Sequence, residues 1–156
     1  MAKTVKKIYT PFRIRNRTRG STIRACGHSR KHNKQIIVST FLEMLNTIKV
    51  YHWNTYSYAE HKATDELYAK LNEHIDSFVE VLLGKQGDRL NRLDHQVPML
   101  RYRHTSDFKQ RIFQYRDYLT KMNECFDSTA DTDLLNIRDE ILGDINQFLY
   151  LMTFNK

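Results

Sequence analysis

Apolar residues recur along most of the chain at the spacing of an α-helix. From residue 37 onward they follow one another in steps of three and four, which places them on one face of a helix. Four such stretches occur, and the pattern predicts four amphipathic helices. Their apolar faces are Ile37, Phe41, Leu45, Ile48 and His52; Leu67, Leu71, Ile75, Phe78 and Leu82; Phe108, Ile112, Tyr115, Leu119, Met122 and Phe126; and Leu134, Ile137, Ile141, Ile145, Phe148 and Met152.

Capping signals bound the second predicted helix. The sequence "SYAE" matches a capping box, with Ser57 at the N-cap and Glu60 three residues later. The helix is therefore predicted to run from about Tyr58 to Leu83. Gly84 follows at once and is the predicted stop, since glycine suits the residue after a helix.

The connections between the helices predict their arrangement. Thr105 or Ser106 can cap the third helix and Asp131 or Thr132 the fourth, so the first and last connections are short. A polar stretch, residues 84–106, separates the second helix from the third. A connection of that length is unusual in a compact domain unless it joins two parallel helices. The sequence predicts an all-α fold over residues 36–156: a ferritin-like four-helix bundle with one long crossover connection.

Residues 1–35 have a different composition and form a predicted basic N-terminal arm. The chain has a net charge of +7, yet this segment alone holds eleven Lys or Arg and no Asp or Glu. The remainder carries fourteen basic and eighteen acidic residues. With few large apolar residues, the arm is expected to be extended or disordered in isolation. Its cations are Lys3, Lys6, Lys7, Arg13, Arg15, Arg17, Arg19, Arg24, Arg30, Lys31 and Lys34.

The arm predicts binding to DNA through phosphate contacts. Arg13, Arg15, Arg17 and Arg19 alternate, so an extended chain would project them to one side. The sequence has neither a recognition helix nor zinc-finger spacing, and we expect the binding to be sequence-independent and salt-dependent. A solvated tail and a nuclear-import signal are the alternative interpretations.

Composition narrows the class of protein. No apolar run approaches the roughly 20 residues that a membrane span needs, and the N-terminus lacks the apolar segment of a secretory signal. Two cysteines are too few for a disulfide framework, which agrees with a reducing compartment. We therefore expect a soluble intracellular protein without membrane contact.

Histidines and carboxylates share one edge of the second predicted helix. Relative to His61, Asp65 lies at about 40°, Asp76 at about 60° and Glu80 at about 100° around the helix axis. His52 ends the apolar face of the first helix, so its ring should point inward. Such a set suits Fe(II), Mn(II) or Zn(II). A hydrogen-bonded core histidine beside a solvated acidic face produces the same spacing, and the pattern alone leaves both interpretations open.

The stretch "YHWNTYSYAEHKATDELYAKLNEHIDSFVEVLLG" resembles the core motif of Dps, the ferritin-like DNA-protecting proteins of starved bacteria. The matching residues are the His52-Trp53 pair, His61 with Asp65, and Asp76 with Glu80. The resemblance covers roughly residues 36 to 154 and is most specific in this motif. The chain is also similar to an uncharacterised Dps-related family of large eukaryotic DNA viruses.

The resemblance implies an iron site between two subunits. His52, His61 and Asp65 of one chain would face Asp76 and Glu80 of a partner, with Mn or Zn as alternatives to Fe. It also implies Fe(II) oxidation by peroxide or oxygen, and a homo-oligomer that is at least a dimer and up to the family's dodecamer. The chain departs from the family between the two histidines, where its loop is shorter and lacks a glycine. A viral protein would reside in the host cytoplasm or nucleus and in the virion.

The role of Trp53 and the function of the protein each have an alternative interpretation. Trp53 is interpreted as an aromatic anchor of the bundle; the alternative is a sink for oxidising equivalents, together with Tyr51, Tyr56 or Tyr58. The function has an alternative as well: a non-enzymatic DNA-packaging or virion structural protein whose metal site is vestigial. Another kind of di-metal bundle enzyme is disfavoured, because the chain lacks the Glu-x-x-His pairs of those proteins.

Overall fold

A computed structural model describes residues 30–90, 93, 97, 100–102 and 104–154, with side chains from residue 34 onward. This part of the chain is helical and contains no strand, which confirms the predicted all-α class. None of its helices is long and apolar enough to span a bilayer. The elements are α1 (Arg30–Asn54), α2 (Tyr58–Gln86), α3 (Thr105–Lys121), a 3₁₀ turn (Met122–Glu124) and α4 (Thr132–Leu151).

The predicted apolar faces meet in one core. Every residue of the four faces is buried except Phe126 and Ile137, which pack against the core from its edge. Aromatic rings interlock inside it, as where Phe41 meets Phe78 edge to face at 5.2 Å between ring centroids. Each fully buried large side chain contributes roughly 1.5–3 kcal/mol, so these faces account for why the helices pack together.

Contacts at the helix ends define the directions of the helices. At one end, the Tyr51 hydroxyl of α1 donates to Glu60 of α2, and Thr105 at the start of α3 donates to the same carboxylate. At the opposite end, Lys85 of α2 pairs with Asp133 at the start of α4. Helices α1 and α2 are therefore antiparallel, α2 and α3 are parallel, and α4 runs antiparallel to α2.

Helix α2 continues past its predicted stop. Gly84 lies inside the helix, and Gly87 is the C-cap, with φ of 61° and its N–H donating to the Gly84 carbonyl. The left-handed conformation suits glycine, and the predicted stop at Gly84 is wrong by three residues. Lys85 lies between the two glycines and pairs with Asp131 and Asp133 near the start of α4, which holds the last turn of α2 against α4.

The start of α4 was predicted correctly, whereas the N-cap of α3 lies one residue before the two predicted positions. Helix α3 includes both predicted cap residues and has His104 as its N-cap, without a side-chain hydrogen bond. Asp131 is the N-cap of α4, and it is one of the two residues that were predicted for this position. Between α3 and α4, Cys125 is disulfide-bonded, so this cysteine is not the reduced thiol that we expected.

Helix α1 begins at Arg30, before the predicted end of the arm at residue 35. Arg30, Lys31 and Lys34 therefore belong to a helix, and the other predicted DNA-binding residues lie outside the described part of the chain. Lys34 is buried, and its ammonium donates to the carboxylate of Asp88 at 2.8 Å and to the Arg89 carbonyl at 3.2 Å. These contacts of Lys34 support the fold, and its binding to a phosphate stays a prediction.

A buried polar network aligns α1 with α3. Arg111 donates to the carboxylate of Glu43, and the Tyr115 hydroxyl lies 3.1 Å from the same oxygen and 2.9 Å from the Thr47 hydroxyl. All four side chains are buried. A buried charge that loses its partner is strongly destabilising. The pair therefore favours one register between the two helices.

The buried tyrosines predict alkaline unfolding. Burial is the main cause that raises the pKa of Tyr51 and of Tyr102 to about 12, and it also raises the pKa of Tyr115 and Tyr118. An unfolded tyrosine ionises near pH 10. Their contribution to stability is therefore complete below about pH 10 and is lost as the pH rises through the folded-state pKa values. We expect phenolate absorbance and loss of helical circular dichroism to rise together above about pH 10.

Tyr118→Phe should move this alkaline midpoint to higher pH, because phenylalanine cannot ionise. Tyr56→Phe is the control, since Tyr56 is fully exposed and its removal should leave the midpoint unchanged. Equal midpoints in the wild type and in Tyr118→Phe would contradict a role for buried phenols in alkaline unfolding.

Candidate metal centre

The turn between α1 and α2 brings two histidine rings together. Ser57 is the N-cap of α2 and accepts a hydrogen bond from the Glu60 N–H at 3.3 Å, so the chain reverses within three residues after Asn54. The rings of His52 and His61 stack with their centroids 3.9 Å apart and their planes 22° apart. The loop that lacks the glycine of Dps proteins thus still places these two residues side by side.

Backbone carbonyls determine which nitrogen of each ring carries the proton. His52 Nδ1 lies 3.0 Å from the His61 carbonyl oxygen, and His61 Nδ1 lies 3.1 Å from the His52 carbonyl oxygen. A carbonyl oxygen only accepts, so in the neutral rings each Nδ1 is the donor and each Nε2 carries the lone pair. Metal-binding histidines are typically oriented in this way. The geometry leaves both Nε2 atoms suited to a metal ion.

Asp65 lies beside this pair, next to a competing cation. Its Oδ1 is 3.8 Å from His52 Nε2, and the Lys49 ammonium is 3.6 Å from the same oxygen. Lys49 also lies over the Tyr68 ring at 4.6 Å. Half of the Asp65 side chain is exposed, so this carboxylate can turn either toward the imidazole or toward the lysine.

Asp76 and Glu80 are separate from the three residues above. Both are exposed, and Asp76 lies about 16 Å beyond Asp65 along the axis of α2. Within residues 30–90, 93, 97, 100–102 and 104–154, no three His, Cys, Asp or Glu side chains are close enough together to hold a metal ion. His61 and Asp65 therefore lie near the start of α2, beside His52 of α1, whereas Asp76 and Glu80 lie in the second half of α2.

Glu60 is a polar residue of this region whose role the sequence analysis missed. Its carboxylate is buried and accepts hydrogen bonds from Tyr51 at 2.6 Å, Thr55 at 2.6 Å and Thr105 at 3.2 Å. These bonds hold the end of α1, the turn and the start of α3 around the two histidines. The capping-box pattern identified the Ser57 contact, but the long-range partner Thr105 gives no signal in the local sequence.

Exposed aromatic residues lie next to the histidines in the sequence. Trp53 is 67% exposed, and Tyr56 and Tyr58 are exposed beside it. The interpretation of Trp53 as an anchor of the bundle is therefore wrong for a single chain, because the anchoring ring is the neighbouring Tyr51, stacked on Phe108 at 3.7 Å. Exposed groups of large apolar residues are typical of surfaces that bind a partner.

Lys49→Met is expected to tighten metal binding by up to about fivefold, because an exposed ion pair is worth at most about 1 kcal/mol. The substitution removes the cation that neutralises Asp65. Isothermal titration with Mn(II), which does not oxidise under these conditions, would measure the change. Lys62→Met, next to His61 in sequence and exposed, is the control. Equal affinities in the wild type and in Lys49→Met would show that the lysine does not compete for Asp65.

A family model described as "Family of unknown function (DUF5856)" matches residues 52–152. The match begins at His52 and includes the other four candidate ligands together with α2, α3 and α4. No curated protein and no solved structure matches the chain significantly.

Proposed function

Because the chain belongs to the family of unknown function DUF5856, we propose its function from its own residues. It is a Dps-like protein that binds and oxidises Fe(II) at a site between two subunits and binds DNA non-specifically through its basic arm. We place it inside the cell, or for a viral protein in the host cytoplasm or nucleus and in the virion.

The observation that carries the proposal is the pair of stacked imidazoles. His52 and His61 donate their Nδ1 protons to each other's carbonyl oxygens and keep Nε2 for a ligand. Asp65 adds an oxygen 3.8 Å from His52 Nε2. Two imidazoles and a carboxylate fit the ligand preferences of Fe(II), and also those of Mn(II) or Zn(II).

A second copy of the chain supplies the missing half of the site. Asp76 and Glu80 lie too far along α2 to reach His52 of their own chain, so the proposed ligands are the partner subunit's Asp76 and Glu80. The parallel directions of α2 and α3 support the ferritin-like connectivity in which such sites form. The exposed aromatic residues beside the histidines support a dimer at least, with the family's dodecamer as the upper limit.

Fe(II) is the substrate in this proposal: two Fe(II) ions each lose one electron to become Fe(III). The two electrons, with two protons, reduce one peroxide to two waters or one oxygen molecule to peroxide. The neutral imidazoles bind Fe(II) without adding charge. The carboxylates, as hard oxygen ligands, favour the Fe(III) product. The Glu60 hydrogen bonds maintain the turn on which both histidines depend. Lys49 holds Asp65 until a metal ion replaces it.

One observation favours a second candidate function, the DNA-packaging or virion structural protein. Asp65 already has a cation partner in Lys49 at 3.6 Å. In that case the ion pair replaces the metal, the histidines are structural, and the arm alone carries the function.

Metal content and particle mass test the two candidates together. The full-length protein would be incubated anaerobically with Fe(II), desalted, and examined by elemental analysis and by light scattering. The proposal expects a dimer or larger assembly with about one Fe per site, hence about two per dimer. A protein without iron that still binds DNA would select the structural function.

A further inference from the structure

A groove lies between the N-terminal part of α2 and the C-terminal part of α4. It has a wider section of about 320 Å³ and a narrower continuation of about 60 Å³. Ala59 and Ala63 line it from α2, and their short side chains leave it open. Leu151 and Phe154 form its other side, and both are exposed although they are apolar. The groove therefore offers apolar surface that the described residues leave uncovered.

The groove is also acidic. Among the described residues, Glu60, Glu66 and Asp144 line it together with one cation, Lys70. Lys70 is itself 3.3 Å from Asp144. The other Asp144 oxygen is buried without a hydrogen bond among the described residues, 3.1 Å from His74 Nδ1. An occupant that carries apolar side chains and positive charges would complement this surface.

The chain itself contains a segment with this chemistry. Residues 1–29 hold eight Lys or Arg and no acid, and Ile8, Phe12 and Ile14 lie among the cations. The segment is also long enough. Helix α1 is about 37 Å long, whereas 29 extended residues reach up to about 95 Å. Since α1 starts at the end of the bundle opposite the groove, the arm can reach the groove of its own chain or that of a neighbouring copy.

We propose that the α2–α4 groove is a docking site for the basic N-terminal arm, residues 1–29. The apolar residues of the arm contact Leu151 and Phe154, and its cations pair with Glu66 and Asp144. Docking keeps the arm cations away from other polyanions, so the acidic groove and a nucleic acid compete for the same segment. The docking does not depend on the proposed function, whereas the competition rests on it.

Zero-length cross-linking of the full-length protein tests the docking. A carbodiimide joins lysine amines to carboxylates that they touch, and mass spectrometry identifies the pairs. We expect Lys3, Lys6 or Lys7 to link to Glu66 about fivefold more often than to Glu124, an equally exposed acid at the other end of the bundle. Mixing isotope-labelled with unlabelled protein shows whether the arm docks on its own chain or on a neighbour.

Phe154→Ser and Leu151→Ser test the apolar contact while every carboxylate is retained. Both side chains are exposed, so folding should be unaffected, and a thermal melt would verify this. The links to Glu66 should decrease in both variants and disappear at high salt. Links that spread equally over Glu66 and Glu124, or that do not change in the serine variants, would overturn the docking.

DNA affinity separates failure of this inference from failure of the proposed function. Glu66→Lys should strengthen DNA binding by up to about fivefold, because the arm is released. Glu124→Lys adds the same charge far from the groove and is the control. Equal strengthening by both variants would overturn the competition. A wild-type protein that shows the Glu66 links but does not bind DNA would retain the docking and refute the proposed DNA binding.

Discussion

Replacing both Asp76 and Glu80 with alanine is expected to slow Fe(II) oxidation by about 100-fold or more. Loss of one residue that merely orients a metal ligand costs about 10–100-fold, and this variant removes two ligands. Both side chains are exposed on α2, so the fold should be retained. Stopped-flow absorbance of Fe(III) formation after addition of peroxide to the Fe(II)-loaded protein would measure the rate. Asp117→Ala with Glu124→Ala, two exposed carboxylates elsewhere, is the matched control.

Mixing two inactive variants tests whether the site lies between subunits. His52→Ala lacks one of the two imidazoles, and the Asp76/Glu80 double variant lacks the two carboxylates that a partner would supply. In a mixed dimer, one of the two sites has all its ligands, and the other lacks His52, Asp76 and Glu80. After unfolding and refolding together, half of the dimers are mixed, so about a quarter of the wild-type activity should return.

The possible results of these two experiments distinguish between different positions of the ligands. Unchanged oxidation in the double variant would refute Asp76 and Glu80 as ligands. Loss of activity in each variant without recovery in the mixture would place all the ligands in one chain, which requires α2 to bend or rearrange. An iron-free wild type would favour the structural function.

Neutralising Arg13, Arg15, Arg17 and Arg19 with glutamine should weaken DNA binding by up to about four orders of magnitude at 50 mM salt. Each phosphate contact contributes about 0.9 to the slope of log K against log salt. Four lost contacts should therefore reduce the magnitude of that slope by about 3.6. Fluorescence anisotropy with a labelled duplex over a salt series would give both numbers. Substitution is preferable to deletion of residues 1–35, because that deletion would remove the first turn of α1.

The control changes the same number of charges on the body of the protein. Lys62, Arg89, Arg101 and Lys121 are exposed on the body, and their replacement by glutamine should alter the slope far less. Equal effects of the two sets would show that DNA responds to the net charge alone. A duplex of unrelated sequence should bind equally well, since no base-reading element is predicted.

Much of the fold could be read from the spacing of apolar residues. Positions such as Phe41, Leu71, Ile112 and Ile145 were assigned to the core by periodicity, and all four are fully buried. Helix ends were less certain, because several residues satisfy the same local rule. Gly84 and Gly87 are both suitable C-caps, and the choice between them depends on ion pairs made by Lys85 with a distant helix.

The candidate site was likewise predicted only in part from the sequence. The sequence identified His52 as inward-pointing and placed His61 and Asp65 on one edge of a helix, and the structure brings these three residues into one region. The sequence could not show that Lys49 neutralises Asp65. It also could not show that Trp53 is exposed while Tyr51 is buried. Those outcomes depend on how the helices rotate against each other, which no single helix encodes.

The sequence by itself determined the helical class, the residues of the core and the separation of a basic segment from an acidic body. These follow from local periodicity and composition, which every stretch of chain carries independently. Only the tertiary structure decided the stacking of His52 on His61, the three hydroxyls around Glu60 and the open groove beside Leu151. Each of these depends on atoms that are distant in the sequence and meet only after the helices pack, so their positions are a property of the assembled bundle.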